Sequence, residues 1–408
     1  MVTEAIPKGY KQTEVGVIPE DWDLITWGDA LDFLSTATYS RDQLSENEGI
    51  CYVHYGDIHT KLNHFLDFEK ISLPSINREK AKNYSSIRDG DLIMADASED
   101  YEGIGKSVEV KNIKDRKAIS GLHTFLMRGK KELFAVGFKG YLYSNKLIKA
   151  QFDRLATGLK VYGVSKNNLK MVLIPCPKPE EQKGIEQVLS DTDVLIEQLD
   201  KLLEKKKNIK QGAIQELLTG KRRLPRFKGE WEVNQFGTMI DIEKGQQINK
   251  SELLDDGEYP DWNGGIEPSG YTDKWNTDAY TITISEGGNS CGFVNYCKER
   301  FWLGGHCYAL KIISNGLDKI FLYQLLKFKE KLIMGLRIGS GLPNIQKKNL
   351  KEFELYVPIE MQEQSAIAQV LSDMDLEIEE LEQKRDKYLK LKAGMMQQLL
   401  TGRIRLKC

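Results

Sequence analysis

A block near the middle of the chain recurs near its end at a constant offset. Most residues of Glu181 to Asp191 return in Glu363 to Asp373, and Leu217-Leu218-Thr219-Gly220 returns as Leu399-Leu400-Thr401-Gly402. The offset is 182 residues at both ends of the repeat (371 − 189 and 402 − 220). Since no residue is gained or lost between the two blocks, the repeat predicts one continuous element whose length matters.

The repeated element has the pattern of a long helix. Pro177 and Pro179 precede the first copy, Pro358 precedes the second, and Gly220 and Gly402 stand where C-terminal caps are expected. Each helix should span roughly 40 residues, or about 60 Å. Apolar residues alternate at spacings of four and three, which is typical of a helix packed on another helix. The predicted seam consists of Ile185, Leu189, Ile196, Leu199, Leu203, Leu217, Ile367, Leu371, Met374, Ile378, Leu381 and Leu399.

The charge pattern predicts how the two helices pair. Residues 180–200 carry seven acidic side chains and one lysine, and residues 201–210 carry five lysines and one glutamate. The second copy repeats this polarity, with acidic residues through Glu382 and basic residues from Lys384 onward. Antiparallel pairing places acid opposite base along the whole length, whereas parallel pairing places like charges together.

A weaker repeat precedes the helices. Trp22 and Trp231 each head a half-chain, and strand-like runs follow in both halves. The prediction is an α+β fold class: two strand-rich α/β domains joined by two long antiparallel coiled-coil helices, with a pseudo-two-fold repeat. The predicted boundaries are residues 1–175, 176–228, 229–357 and 358–408. Strands are predicted at 91–95, 108–110, 280–284 and 309–313, a helix at 321–332, and turns or loops at 261–265 and 286–290.

Composition places the chain among globular proteins of the cytoplasm. Of its 408 residues, 40% are apolar and 29% are charged, and the net charge is −2. The first nine residues lack the apolar stretch of a signal peptide, and we find no apolar run of membrane-spanning length. Six cysteines without regular spacing suit reduced thiols in a cytoplasm.

Two stretches of the sequence partly match a nucleotide-binding motif and a zinc-binding motif, and neither match is complete. Residues 100–107 approach a phosphate-binding loop, but Asp100 replaces the first glycine and a strand-like run follows instead of a helix. Residues 291–307 include Cys291, Cys297, His306 and Cys307, without a Cys-x-x-Cys pair. We therefore expect no catalytic residue, no metal site and no cofactor in this chain.

The chain resembles the specificity subunits of type I DNA restriction-modification systems. The resemblance rests on Ile18-Pro19-Glu20-Asp21-Trp22, Ile174-Pro175-Cys176-Pro177, Glu181-Gln182 and the duplicated Leu-Leu-Thr-Gly. It implies a non-catalytic subunit in which residues 1–175 and 229–357 are target-recognition domains. Each domain would read half of a split, asymmetric double-stranded DNA site, while the helices would fix the spacer and dock two methyltransferase subunits.

The resemblance also implies restriction and translocase subunits as partners, with S-adenosylmethionine, ATP and magnesium held by the partners. The apolar helix seam would allow the isolated chain to form a homodimer. Two alternatives remain open. The chain could be a coiled-coil scaffold with two heads that bind something other than DNA, or the recognition module of a fused restriction enzyme.

Candidate DNA-contacting residues lie on the Gly-rich loops and in the central basic segment. Lysine and arginine can donate to guanine, and asparagine can pair with adenine. Residues 201–228 hold ten Lys or Arg and two Glu, which suits phosphate contacts, helix pairing or partner docking. The base-reading candidates are Ser98, Lys106, His123, Lys160, Tyr162, Asn263, Tyr271, Asn289, Ser290, Arg337, Ser340 and Asn344, and the DNA-backbone candidates are Lys221, Arg222, Arg223 and Arg226.

Overall fold

A computed structural model of the chain describes residues 6–45, 49–130, 133–156, 162–339, 341 and 343–406. The fold mixes helices and strands, and it divides into two compact units. The first unit consists of residues 1–198 and 385–408, and the second consists of residues 199–384. Both divisions fall inside a long helix, so each unit includes one part of both helices. No helix within the described ranges is long and apolar enough to cross a membrane.

Two helices of equal length form the repeated element. The central helix spans Pro179–Leu217 and the C-terminal helix spans Met361–Leu399, 39 residues each. Past their ends, Gly220 and Gly402 both adopt a φ of +69°, the left-handed conformation that glycine tolerates at a helix C-terminus. The predicted helices and their glycine caps are confirmed.

Within each unit, the two helix segments run antiparallel and carry opposite charges toward each other. In the first unit, Lys392 Nζ lies 2.5 Å from Asp193 Oδ1. In the second unit, Lys206 pairs with Glu377 at 2.5 Å, and Lys207 pairs with Glu382 at 2.6 Å. Some of the acidic residues also bind the domain instead of the partner helix, since Glu186 of the central helix pairs with Lys111 at 3.1 Å.

All of the predicted seam residues are buried or half-buried. The helix ends, however, pack into the domain cores. Ile185, Leu189 and Leu399 belong to the core of the first unit, and Leu217, Ile367 and Leu371 belong to that of the second. The apolar stripe therefore serves both helix pairing and domain docking.

The main sheet of the first unit has five strands among the described residues. Their order is Leu31–Leu34, Thr124–Gly129, Leu92–Ala95, Ser107–Lys111 and Phe65–Asp67, and only the last pair is parallel. A smaller sheet has the order Ala118–Ser120, Ile50–Val53 and Ser75–Ile76, with the first pair parallel. Three further antiparallel pairs join Tyr10–Thr13 to Gly16–Pro19, Asp23–Thr26 to Leu173–Cys176, and Ala97–Ser98 to Tyr162–Gly163.

Among its described residues, the second unit repeats four strands of this main sheet, without the parallel fifth strand. Its main sheet has the order Ile240–Lys244, Cys307–Ile312, Thr281–Ser285 and Val294–Cys297, all antiparallel. Its smaller sheet has the order Tyr271–Thr272, Tyr259–Trp262 and Trp302–Leu303. As in the first unit, the central strand has one antiparallel neighbour, here the first strand, and one parallel neighbour, here the last. Trp231–Gln235 pairs with Glu354–Pro358 as the equivalent entry and exit strands.

Short helices connect these strands. In the first unit they are Trp27–Ala30, Arg41–Gln43, Tyr55–Lys61, Arg78–Ala81, Lys139–Ser144, Lys146–Leu155 and Lys166–Lys170. In the second unit they are Phe236–Met239, Lys250–Glu252, Lys319–Phe328, Glu330–Met334 and Lys347–Glu352. Arg41–Gln43, Lys139–Ser144 and Lys250–Glu252 are 3₁₀ helices.

The predicted strands are all present, within one or two residues at their ends. Two local predictions need correction. The helix predicted at 321–332 is two helices that meet at Lys329. Asp261 and Trp262, predicted as part of a turn or loop, belong to a strand that pairs on both sides.

The repeated Glu-Gln dipeptide fastens each helix to its domain. Gln182 donates to the carbonyls of Pro177 (2.8 Å) and Leu133 (3.0 Å) and accepts from the Ala135 amide (2.8 Å). Its counterpart Gln364 makes the same kind of contacts with Pro358, Gly316 and Asp318, each at 2.8 Å.

The neighbouring glutamates form buried ion pairs with arginines that are also 182 residues apart (405 − 223). Arg405 donates to both carboxylate oxygens of Glu181 (2.6 and 2.8 Å) and to both of Asp21 (2.8 Å each). Arg223 donates to both oxygens of Glu363, and that glutamate is fully buried. Hydrogen bonds from Arg405 hold the pKa of Asp21 below its ordinary value.

Candidate nucleic-acid interface

A polar cleft of about 710 Å³ opens in the first unit beside the loop that joins the strands Leu92–Ala95 and Ser107–Lys111. The helix Tyr55–Lys61 and the turn before Thr124–Gly129 close its other sides. Its polar lining includes Tyr55, His59, Ser98, Lys106, His123 and Tyr143. The polar cleft is lined by side chains from four separate parts of the sequence.

Lys106 lies within the polar cleft with its ammonium group held by a backbone carbonyl. Its Nζ donates to the His59 carbonyl oxygen at 3.0 Å. Burial lowers the pKa of Lys106, and the nearby charge of Asp100 partly opposes that shift. His59 is fixed in turn, because its Nε2 lies 2.9 Å from the Ala97 carbonyl oxygen.

His123 forms the opposite wall of the polar cleft. Its backbone has a φ of +55°, which is uncommon for a residue other than glycine and is found at functional sites. The imidazole Nδ1 lies 3.2 Å from Asp96 Oδ1, and the ring packs edge-on against Tyr55 at 5.5 Å. Burial raises the pKa of Asp96, while His123 opposes this rise.

Close backbone packing shapes the floor of the polar cleft at Gly103. A Cβ atom there would stand 2.3 Å from Ser98 Oγ and 3.1 Å from the His59 ring. Ser98 is buried and pairs in a short ladder with Tyr162, whose ring lies 4.1 Å from that of the exposed Tyr101. These two tyrosine rings lie close to the polar cleft, because Ser98 lines it.

Most first-domain candidates from the sequence therefore come together. Ser98, Lys106 and His123 line the polar cleft, and Tyr162 pairs with Ser98. Lys160 lies outside the described residues. Sequence reasoning missed Tyr55, His59, Tyr143, Glu99 and Glu102, which also line the polar cleft. The loop of residues 100–107 could have indicated this cleft from the sequence. It resembles a phosphate-binding loop but lacks the features that a nucleotide site requires.

In the second unit, two loops carrying four candidates are joined by backbone hydrogen bonds. The Gly288 amide donates to the Pro343 carbonyl at 3.1 Å, and the Ile345 amide donates to the Glu286 carbonyl at 2.8 Å. Asn289, Arg337 and Asn344 are exposed on these loops, and Ser290 is half-buried. Ser340 lies outside the described residues.

Asn263 and Tyr271 occupy different settings. Asn263 accepts a hydrogen bond from the His306 amide at 3.0 Å and lies 3.4 Å from Gln247 Oε1, so its amide group holds a turn. Tyr271 is partly exposed on the edge of the smaller sheet, where it pairs with Pro260. The structure thus gives Asn263 a structural role in a turn.

The basic segment after the central helix is exposed in part. Lys221, Arg222 and Arg226 are exposed, and Arg226 has a φ of +84°. Arg223 differs, because its guanidinium group is bound to Glu363 and lies 5.8 Å from the Trp231 ring. Three of the four predicted DNA-backbone candidates therefore remain accessible to a phosphate.

The structure does not form a metal site from the cysteines and histidine of residues 291–307, which are Cys291, Cys297, His306 and Cys307. Burial raises the pKa of the Cys297 and Cys307 thiols to about 12, which keeps them protonated near neutral pH. The described residues contain no group of three or more His, Cys, Asp or Glu side chains that could hold a metal ion.

Comparison with known proteins gives a consistent set of similarities. Residues 228–391 match the model of the type I restriction modification DNA specificity domain. A predicted type I restriction enzyme specificity subunit from Methanocaldococcus jannaschii is 28% identical, covering 98% of this chain and 97% of its own. Another specificity subunit of that organism is 26% identical, again over 98% and 97% of the two chains.

A solved structure shows the same fold. The S subunit of a type I restriction-modification system from M. genitalium superimposes with a TM-score of 0.60 over 93% of this chain and 96% of that one, at 16% identity. This chain is therefore similar to type I restriction-modification specificity subunits in its matched specificity domain, in relatives that cover nearly its whole length, and in its fold.

Proposed function

We propose that this chain is the non-catalytic, sequence-reading subunit of a type I restriction-modification complex, in which each domain reads one half of a split, asymmetric DNA site. The observation that carries the proposal is the pairing of one topology with two different sets of loops. Four strands of each main sheet follow the same order, while the loops present Lys106 and His123 in one unit and Asn289 and Arg337 in the other.

The two long helices would act as a coiled-coil spacer with pseudo-two-fold symmetry. Their equal length of 39 residues and their cross-helix ion pairs support a rigid element of defined length. Exposed apolar side chains on the helices, Val194, Leu202 and Leu389 among them, provide surfaces for two methyltransferase subunits. Restriction and translocase subunits would join that core. S-adenosylmethionine, ATP and magnesium would be held by the partner subunits.

The test is to express the chain with its adenine methyltransferase partner in a host that lacks adenine methylation, and to map methylated adenines across the genome. We expect methylation at a single bipartite motif with a spacer of fixed length. Expression of the methyltransferase without this chain serves as the control and should leave that motif unmethylated. An unchanged methylation pattern after deletion of the chain would refute the proposal.

A further inference from the structure

Lys106 combines partial burial with unused hydrogen-bonding capacity. An ammonium group carries three N–H donors, and the structure gives Lys106 Nζ one acceptor, the His59 carbonyl oxygen at 3.0 Å. Among the residues that the structure describes, no carboxylate forms an ion pair with it. The remaining donors can therefore serve a ligand that enters the polar cleft.

The carboxylates around the polar cleft restrict what that ligand can be. Glu99, Asp100 and Glu102 all line the same cleft as Lys106. Asp100 Oδ1 accepts from the Gly103 amide at 2.6 Å, which fixes this carboxylate in place. The three carboxylates of the polar cleft disfavour a phosphate, whereas the edge of a neutral base experiences no such repulsion.

The donors and acceptors of the polar cleft match one base pair better than the others. Lysine only donates, and in the major groove guanine offers two acceptors, N7 and O6, where thymine and adenine each offer one. Adenine and cytosine place an amino donor in that groove, which a lysine cannot bind. A carboxylate such as that of Glu99, which is exposed on the rim, can accept from the cytosine amino group.

We propose that the polar cleft of the first domain reads a G·C base pair, with Lys106 donating to guanine and Glu99 accepting from cytosine. This inference rests on the proposed function, since it assumes that the first domain reads DNA. It goes further by naming the base pair and the residues that read it.

The test measures binding of the complex of this chain and its methyltransferase partner to duplexes carrying the mapped motif. Each guanine of the two half-sites is replaced in turn by 7-deazaguanine, which lacks N7. At one position we expect binding to weaken by roughly 5-fold or more. Hypoxanthine at that position should have little effect, because it keeps N7 and O6 and loses only a minor-groove amino group.

Variants of Lys106 tie that effect to one side chain. In Lys106→Gln, 7-deazaguanine should cause little further weakening, and the preference for guanine at that position should fall. Lys106→Arg should restore the preference for guanine, because arginine also donates to N7 and O6. Lys82→Gln is the matched control: it removes a lysine that pairs with Glu79 outside the polar cleft, and it should retain the full preference.

The outcomes separate this inference from the proposed function. If the unchanged complex recognises no bipartite motif, the proposed function fails. If it recognises one and no guanine in either half-site is sensitive to 7-deazaguanine, the inference fails alone. Equal weakening of all sequences in Lys106→Gln, with a smaller dependence on salt, would assign Lys106 to a phosphate and overturn the inference. The 7-deazaguanine measurement uses the unchanged chain, so it stands even if a Lys106 variant does not fold.

Discussion

At the scale of single residues, two buried glutamates occupy equivalent positions of the repeat, and an arginine holds each of them. Glu363 is fully buried, and Arg223 donates to both of its oxygens. Burial of a carboxylate carries a desolvation penalty, which the attraction to a paired cation offsets. If the arginine is removed, the penalty remains and the attraction is lost. The arginine therefore matters more for stability than an exposed ion pair would.

Replacement of Arg223 with Ala should lower the free energy of unfolding by about 3–5 kcal/mol. The neighbouring Arg222 is the matched control, because its side chain is 75% exposed and pairs with Glu216 at 3.3 Å. Arg222→Ala should change the free energy of unfolding by less than about 1 kcal/mol. Urea denaturation of the two variants measures the difference, and equal effects would show that the buried pair does not stabilise the fold.

Asp261 is the opposite case, a buried carboxyl group without a partner. Neither oxygen has a hydrogen-bond partner among the described residues, and burial raises its pKa from 3.8 to about 6. Between those two pH values the folded chain holds a proton that the unfolded chain has released. Stability from this group is therefore present at acidic pH and is lost as the pH rises through about 6.

Asp261→Asn should remove this pH dependence, because an amide does not ionise. At pH 8 the variant should be more stable than the unchanged chain by roughly 1–3 kcal/mol, and near pH 4 the gap should close. Urea denaturation at several pH values measures the difference. The exposed Asp255 provides the control, since Asp255→Asn should show no such trend. A gap that is constant with pH would contradict the assignment.

At the scale of elements, local patterns predicted the helices and strands but not their partners. The two helices ended where Gly220 and Gly402 indicated, because a left-handed glycine is a local signal. Strand pairing is not local: Ala118–Ser120 lies parallel to Ile50–Val53, more than sixty residues away in sequence. The apolar seam was predicted to contact only the other long helix. Periodicity shows which face of a helix is buried but not which element covers that face.

The spacer role of the helices can be tested by changing their length. One heptad inserted into each helix, at positions near the ion-paired Lys206 and Glu377, keeps their register. Each heptad adds about 10 Å, or about three base pairs of DNA. Methylation mapping should then show a longer spacer between unchanged half-sites. A heptad in one helix alone is the control, and it should abolish recognition. Altered half-sites with an unchanged spacer would contradict the spacer role.

At the scale of the whole molecule, two domains with little visible sequence similarity share one topology. Four strands of the main sheets and all three strands of the smaller sheets correspond in order. The two long helices could be predicted because their motifs repeat. In the polar cleft, Ser98, Lys106 and His123 were predicted as candidates, whereas Tyr55, His59 and Tyr143 were not. Tyr55, Lys106 and His123 meet there only through pairings between distant strands. Asn263, one of the base-reading candidates, also accepts a hydrogen bond that holds a turn.

The exposed basic residues after the central helix should contribute to DNA affinity without reading sequence. Replacement of Lys221, Arg222 and Arg226 with Ala should weaken binding to every duplex and leave the methylated motif unchanged. The slope of log K against log salt should become shallower by about 0.9 for each phosphate that the variant no longer binds. Lys348→Ala, which removes an exposed lysine from a short helix, is the control. A changed motif would instead assign one of the three residues to base reading.

The C-terminal residues of the first unit contact its N-terminal residues, and Arg405 makes the ion pairs between them. The Tyr10 hydroxyl donates to the Gly402 carbonyl at 2.8 Å, and Arg405 is bound to Asp21 and Glu181. A chain that ends just after Gly402, through a nonsense codon or exopeptidase cleavage, would lack Arg405. Glu181, more than two hundred residues earlier in the sequence, would then lose its counter-ion. Such a product should unfold more readily than the longer chain, although all the described strands of both units would still be present.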